Sequence, residues 1–236
     1  MLKDTFFIDG VSAESVGIRL QNDITFSAPV PNVQKENVLG RNGDVLFEAG
    51  TYANRTASVD CFCLQKNVHK ALNAVNTFLF SKNGYRRLEV SSDPEHYWMA
   101  RVKNGAQIAQ RLNLLAPFTI EFDCKPQKFL NNGELPLSFT DPTSIINQTW
   151  NISKPLIVVH GFGEGLLQVN DTVVKLHEIG GSVILDCENQ NAYNDNGNQN
   201  ENIYAPIFPV LVGGKNQIYF EGGVAKIDVY PRWWDL

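Results

Sequence analysis

Alternation of apolar and polar residues runs through most of the chain and commits it to strands. Phe118, Ile120, Phe122 and Cys124 alternate with Thr119, Glu121 and Asp123. Successive side chains of a strand point to opposite faces, so this is the pattern of a strand with one face buried. Arg55 to Leu64 repeats it, with Ala57, Val59, Cys61 and Cys63 on one face. Tyr97 to Val102 and Arg87 to Val90 are further strands, and Phe6 to Ile8 and Val16 to Leu20 flank the turn-forming Asp9-Gly10. Asn42-Gly43 lies between Val38-Leu39 and Val45-Leu46-Phe47. It predicts a hairpin with a type I′ turn, whose two central residues need positive φ.

One segment departs from this rhythm. From Asn67 to Lys82 the apolar residues Val68, Ala71, Leu72, Val75, Phe78 and Leu79 recur every three or four positions. That spacing places them on one stripe of an amphipathic helix. Asn67 can cap its start, and Gly84 can take the left-handed position beyond its end. Such a helix must lay its stripe on a sheet, so a charge at Leu72 is expected to be poorly tolerated.

The patterning lapses between Lys128 and Glu134, where Asn131-Asn132-Gly133 marks a boundary. This divides the chain into residues 1–130 and residues 131–236. The second part has short apolar runs: Leu156 to Val159, Leu166 to Val169, Val173 to Leu176, Val183 to Leu185, Val210 to Val212, Ile218 to Phe220 and Ala225 to Val229. Turn-forming pairs separate them, among them Asn170-Asp171, Gly180-Gly181, Gly213-Gly214 and Gly222-Gly223. Six or seven short strands in about 100 residues predict a β-sandwich. The Asn-rich stretch from Asn189 to Asn202 reads as a long polar loop.

Charge is unevenly divided. Residues 1–130 hold 15 Lys and Arg against 13 Asp and Glu, and residues 131–236 hold 5 against 12. That is no basic footprint for duplex nucleic acid. Cys61, Cys63, Cys124 and Cys187 include no CxxC pair and read as reduced, buried thiols. The opening residues contain no apolar run of signal-peptide length, and no stretch approaches a membrane span. Sequons at Asn54, Asn147, Asn151 and Asn170 are accordingly expected to arise by chance in an Asn-rich sequence.

Several motifs resemble chemistry. Val158-Val159-His160-Gly161-Phe162-Gly163-Glu164-Gly165 suggests a phosphate cradle or an oxyanion loop. A phosphate cradle needs a helix directly after its glycines, and here another strand follows. No Gly-x-Ser-x-Gly nucleophile elbow occurs, so an esterase built on His160 lacks its partner. The glycines therefore predict a tight hairpin between two strands. His69, His96, His160 and His177 lie far apart without a second His or Cys at ligand spacing. Asp195-Asn196-Gly197 lacks the flanking ligands of a calcium loop. Glu89, Asp93 and Glu95 read as solvated loop charges. No catalysis, cofactor or metal is expected.

The order of motifs resembles one known family. Phe7-Ile8-Asp9-Gly10, Val16-Gly17-Ile18 and Gly40-Arg41-Asn42-Gly43-Asp44 come first. Then follow the strand ending at Cys61, the helix, Tyr97 to Val102, and Phe122-Asp123-Cys124-Lys125-Pro126. Later come Leu185-Asp186-Cys187, Phe208-Pro209-Val210-Leu211, Gly213 to Ile218, and Pro231-Arg232-Trp233-Trp234. The succession resembles the distal tail (Dit) proteins of siphophages infecting Gram-positive bacteria. The resemblance implies a mostly β fold: an N-terminal β-sandwich or barrel-like domain with one helix and a projecting arm, then a C-terminal galectin-like β-sandwich. It also implies a homo-hexameric ring at the virion tail tip. That ring would join the tail tube to a tail-associated lysin or fibre protein, with receptor-binding or baseplate proteins at its periphery. DNA would pass through its lumen unbound. An arm reaching a neighbour would make Arg41, Asn42, Gly43, Leu46, Phe47 and Tyr52 candidate subunit-interface residues; the alternative is that the hairpin packs on its own domain. A rival reading makes the second domain a module for host-wall saccharide, acting through exposed aromatics and the Asn-rich loop.

Overall fold

The structure, a computed structural model, describes residues 4–63, 68–103, 110–111, 114–115 and 117–236. The chain divides into two compact units, Met1–Lys128 with Leu236, and Phe129–Asp235. Among the described residues the fold is mostly β with one α-helix.

The sheet of the first unit runs in the order Val11–Ser12, Phe6–Ile8, Arg86–Val90, Asp93–Val102, Phe118–Leu130, Arg55–Cys63, Ile18–Leu20. The strongest alternation in the sequence forms its centre, with Phe118 opposite Cys61, Ile120 opposite Val59 and Phe122 opposite Ala57. All six of these side chains are buried. The helix Val68–Phe80 lays Ala71, Val75, Phe78 and Leu79 on this apolar face, with Leu72 packed at its margin. Phe6 joins the two layers, its ring 6.0 Å from Phe78 and 5.8 Å from Phe122. Arg86 closes the helix end. It donates to the carbonyls of Phe78 and Leu79 at 2.9 and 3.3 Å while pairing with Asp9 at 2.9 Å. Gly84 follows at φ +86°, the left-handed position expected of it. The proposed cap Asn67 lies outside the described residues.

The second unit is built differently from the expected six or seven short strands. Three long strands dominate it: Leu156–Val169, Thr172–Asp186 and Gly214–Tyr230, of 14, 15 and 17 residues. Each passes through a glycine-rich bend and belongs to two layers. One layer pairs Ile157 with Leu185 and Val229; it is flanked by Leu137–Phe139 on one side and, on the other, by Asn191–Asn194 and then Gly197–Asn198 at the edge. The other pairs Leu167 with Val174 and Phe220, and its edges are Thr143–Asn147 and Ile203–Tyr204. Apolar side chains from both layers fill one core that includes Ile157, Val159, Leu167, Leu176, Leu185, Phe220, Ile227 and Trp233. The result is a β-sandwich made by folding long strands over themselves.

Gly161, Gly163 and Gly165 are thus the bend of one strand, not the tight hairpin predicted from sequence. The hairpin turn comes later, at Asn170-Asp171, where Asn170 has φ 53°. The bend needs glycine because backbones meet there. A Cβ on Gly161 would lie 1.9 Å from the Gly223 carbonyl oxygen, and one on Gly223 would lie 1.9 Å from that of Phe162. The pairing slips between Gly163 and Gly165, as a β-bulge does where a strand turns sharply.

The Asn-rich stretch is also folded rather than a loop. Asn191–Asn194 and Gly197–Asn198 form a small hairpin, followed by a 3-10 turn over Asn200–Asn202. Asparagine side chains hold it together locally. The Asn194 oxygen accepts from the Asn196 amide at 2.9 Å, that of Asn198 from Asn200 at 2.8 Å, and that of Asn200 from Ala192 at 2.7 Å. Short amide side chains compete well for nearby backbone groups, and here that competition builds structure.

Candidate subunit interface

The predicted hairpin is present as a separate two-stranded sheet, Pro31–Asn37 with Asp44–Tyr52. Its turn differs from the type I′ geometry expected at Asn42-Gly43. Val38-Leu39 is not strand, and the loop between the paired residues Asn37 and Asp44 spans residues 38–43. The Arg41 amide donates to the Val38 carbonyl at 3.0 Å, closing a turn whose third residue, Gly40, has φ +84°. Gly43 has φ +81°, while Asn42 keeps negative φ. Two glycines three residues apart thus share the reversal, because each can occupy the left-handed region without steric cost.

The register places Leu46 opposite Lys35, Phe47 opposite Gln34 and Tyr52 opposite Pro31. Asn32 donates to Thr51 at 3.0 Å, and the Ala53 amide donates to Val30 at 2.8 Å, so the ribbon is paired down to its base. None of residues 27–54 belongs to either apolar core. Leu39 is 101% exposed, Leu46 55% and Phe47 52%. Arg41, Asn42 and Gly43 are exposed at the tip, and Tyr52 is half-buried at the base. The six candidate residues therefore sit on one limb: three at its tip, two on adjacent and opposite faces of its second strand, and one at its root. A two-stranded ribbon has little stability of its own in water, and this one holds apolar side chains outward on both faces.

The chemical-looking motifs resolve into structural contacts. His160 meets Asp228 at 2.8 Å, but Lys226 also binds that carboxylate at 2.8 Å and Ser138 donates to it. Ser138 bonds the aspartate rather than the imidazole, so among the described residues no hydroxyl is hydrogen-bonded to His160. Burial raises the Asp228 pKa, but the bonds from Lys226, Ser138 and His160 outweigh it and hold the carboxyl below its ordinary value. Asp93 and Glu89 are ion-paired rather than solvated loop charges. Asp93 binds Lys128 at 2.5 Å and His96 at 2.7 Å, and Glu89 binds Arg87 at 2.9 Å. Among the described residues no group of three His, Cys, Asp or Glu side chains could hold a metal. The four cysteines are free and buried, and burial pushes the thiols of Cys61, Cys124 and Cys187 up to about 12. They are packing groups, not nucleophiles.

A feature missed in the sequence is Trp150, 94% exposed on a loop fixed from beneath. The buried Asn147 accepts from the Thr149 amide at 2.9 Å and donates to the Asn151 carbonyl at 2.9 Å. The sequon-like Asn-x-Thr spacing at Asn147 was the visible signal, since its hydroxyl and amide form this bonded turn.

Residues 12–124 match the family described as phage tail protein RIFT-related domain. Over both units the fold is that of the SPP1 Dit (gp 19.1) protein, whose crystal structure is described as a paradigm of the hub adsorption apparatus in phages infecting Gram-positive bacteria. The TM-score is 0.72 over 99% of each chain at 15% sequence identity. No curated protein matches the sequence. Residues 12–124 therefore resemble a phage tail RIFT-related domain, and the chain has the fold of that Dit protein along its length.

Proposed function

We propose that this chain is the distal tail protein of a siphophage, a structural hub whose first unit closes into a hexameric ring at the tail tip. The arm carries the reading. A paired ribbon with exposed Leu39, Leu46 and Phe47 and no core of its own is suited to a surface on another copy. In a closed ring each subunit repeats the same heterologous contact, leaving no free end. Leu46 and Phe47 serve as apolar anchors there, with Arg41 and Asn42 as polar contacts at the tip and Tyr52 at the base. Gly43 lets the tip turn.

In this reading the ring meets the tail tube on one side and the tail-associated lysin or fibre protein on the other. Receptor-binding or baseplate proteins dock around it, and DNA crosses the lumen without being held. The Dit fold and the match to the RIFT-related domain support this assignment. Quantitative mass spectrometry of purified tails tests it. Six copies per tail, or a whole multiple of six, are expected, and tails devoid of the chain would overturn it.

A further inference from the structure

The layer of the second unit edged by Thr143–Asn147 carries a groove of about 440 Å³, lined by Ser144, Gln168, Asn170, Lys215, Gln217 and Tyr219. Its walls are strands, and its polar groups are held in place. Gln168 faces Tyr219 across one ladder and Ser144 faces Gln217 across the next. The Gln168 amide nitrogen donates to the Asn170 carbonyl at 2.8 Å, which fixes the side chain and leaves its oxygen to accept. Asn170 is locked by bonds to the Gln217 amide and to Asn216, both at 2.9 Å. The Tyr219 hydroxyl donates to Glu221 at 2.5 Å, tethering a ring that remains 43% exposed.

We propose that this groove binds a neutral saccharide. A sugar hydroxyl both donates and accepts, and so do the primary amides of Gln168 and Gln217, while that of Asn170 is spent within the protein. The carbon face of a pyranose stacks on an aromatic ring, which Tyr219 supplies beside those amides. A polyanion is disfavoured. Lys215 is the one cation lining the groove, Glu221 stands next to Tyr219, and residues 131–236 hold 12 acidic against 5 basic side chains. The Asn-rich stretch is a poorer candidate, because Asn191, Asn194, Asn198 and Asn200 bond within their own hairpin. The proposal stands apart from the ring reading, since it involves only the second unit.

Saturation-transfer difference NMR on the full chain, with lactose, cellobiose and chitobiose at millimolar concentration, tests it. At least one sugar is expected to receive saturation. The exposed double variant Gln217→Ala/Tyr219→Ala should weaken that signal about tenfold or more, the loss of one or two good contacts. Its melting temperature should match the parent's, and Asn196→Ala in the Asn-rich hairpin should bind as the parent does. Absence of transfer from all three sugars overturns the proposal, and so does a signal that survives the double variant. Neither failure touches ring formation, which is read separately from copy number.

Discussion

At Gly161 and Gly223 the backbones of two strands come so close that neither position has room for a side chain. Gly223→Ala is expected to destabilise the second unit by roughly 3 kcal/mol or more, the range of changes that force a buried backbone apart. Gly180 sits in the same bend, yet a Cβ there meets nothing within 4 Å, so Gly180→Ala should fall within about 0.5 kcal/mol of the parent. Thermal melts of the two variants check the pair. Asp186 makes a different kind of prediction. Burial pushes its carboxyl upward, but Arg232 at 2.7 Å and Asn189 at 2.8 Å more than compensate, and its folded pKa lies below the ordinary value. The unfolded chain therefore takes up the proton first as pH falls. Stability from this site is full above about pH 4 to 5 and is lost as pH drops through the folded pKa. Asp186→Asn should cost about 1.5–3 kcal/mol at pH 7, with the gap to the parent closing on acidification. A gap independent of pH in melts from pH 7 to pH 2 would contradict this account of Asp186.

Among the elements, the arm gives the sharpest test. Leu46 and Phe47 touch neither core, so Leu46→Ser/Phe47→Ser should leave the melting temperature of the isolated subunit almost unchanged while preventing self-association. If the arm instead packs on its own domain, the same changes lower the melting temperature and spare association. The arm's existence was legible from Asn42-Gly43, but its turn was not. Gly40 offers a second left-handed position, and which glycine leads depends on how the strands register. Helix Val68–Phe80 and strand Phe118–Leu130 were legible because each buries one face on a regular period. The bends at Gly161 and Gly222-Gly223 were misread as turns for a physical reason. A glycine interrupts an apolar run in the same way whether the chain reverses or folds over, and only distant partners such as Ile227 and Leu185 decide. The Asn-rich hairpin was hidden similarly, since its stability comes from amide-to-backbone bonds that leave no periodic trace.

Across the whole molecule, two β units of opposite charge balance share the fold of a phage hub protein, with His160 and Asp93 held in ion pairs and the cysteines buried. Which residues meet another copy was the least legible part of the sequence. An interface contact is written on two surfaces at once, and in the proposed ring exposed Leu39, Leu46 and Phe47 would be only one of them. The central claim is that this chain closes on itself through its first unit. Sedimentation equilibrium of the purified protein measures that most directly. The account predicts a species of six 26.4 kDa chains, about 158 kDa, that reverts to single chains on Leu46→Ser/Phe47→Ser. A protein that stays at 26.4 kDa at every concentration, or a hexamer indifferent to those two changes, would contradict it.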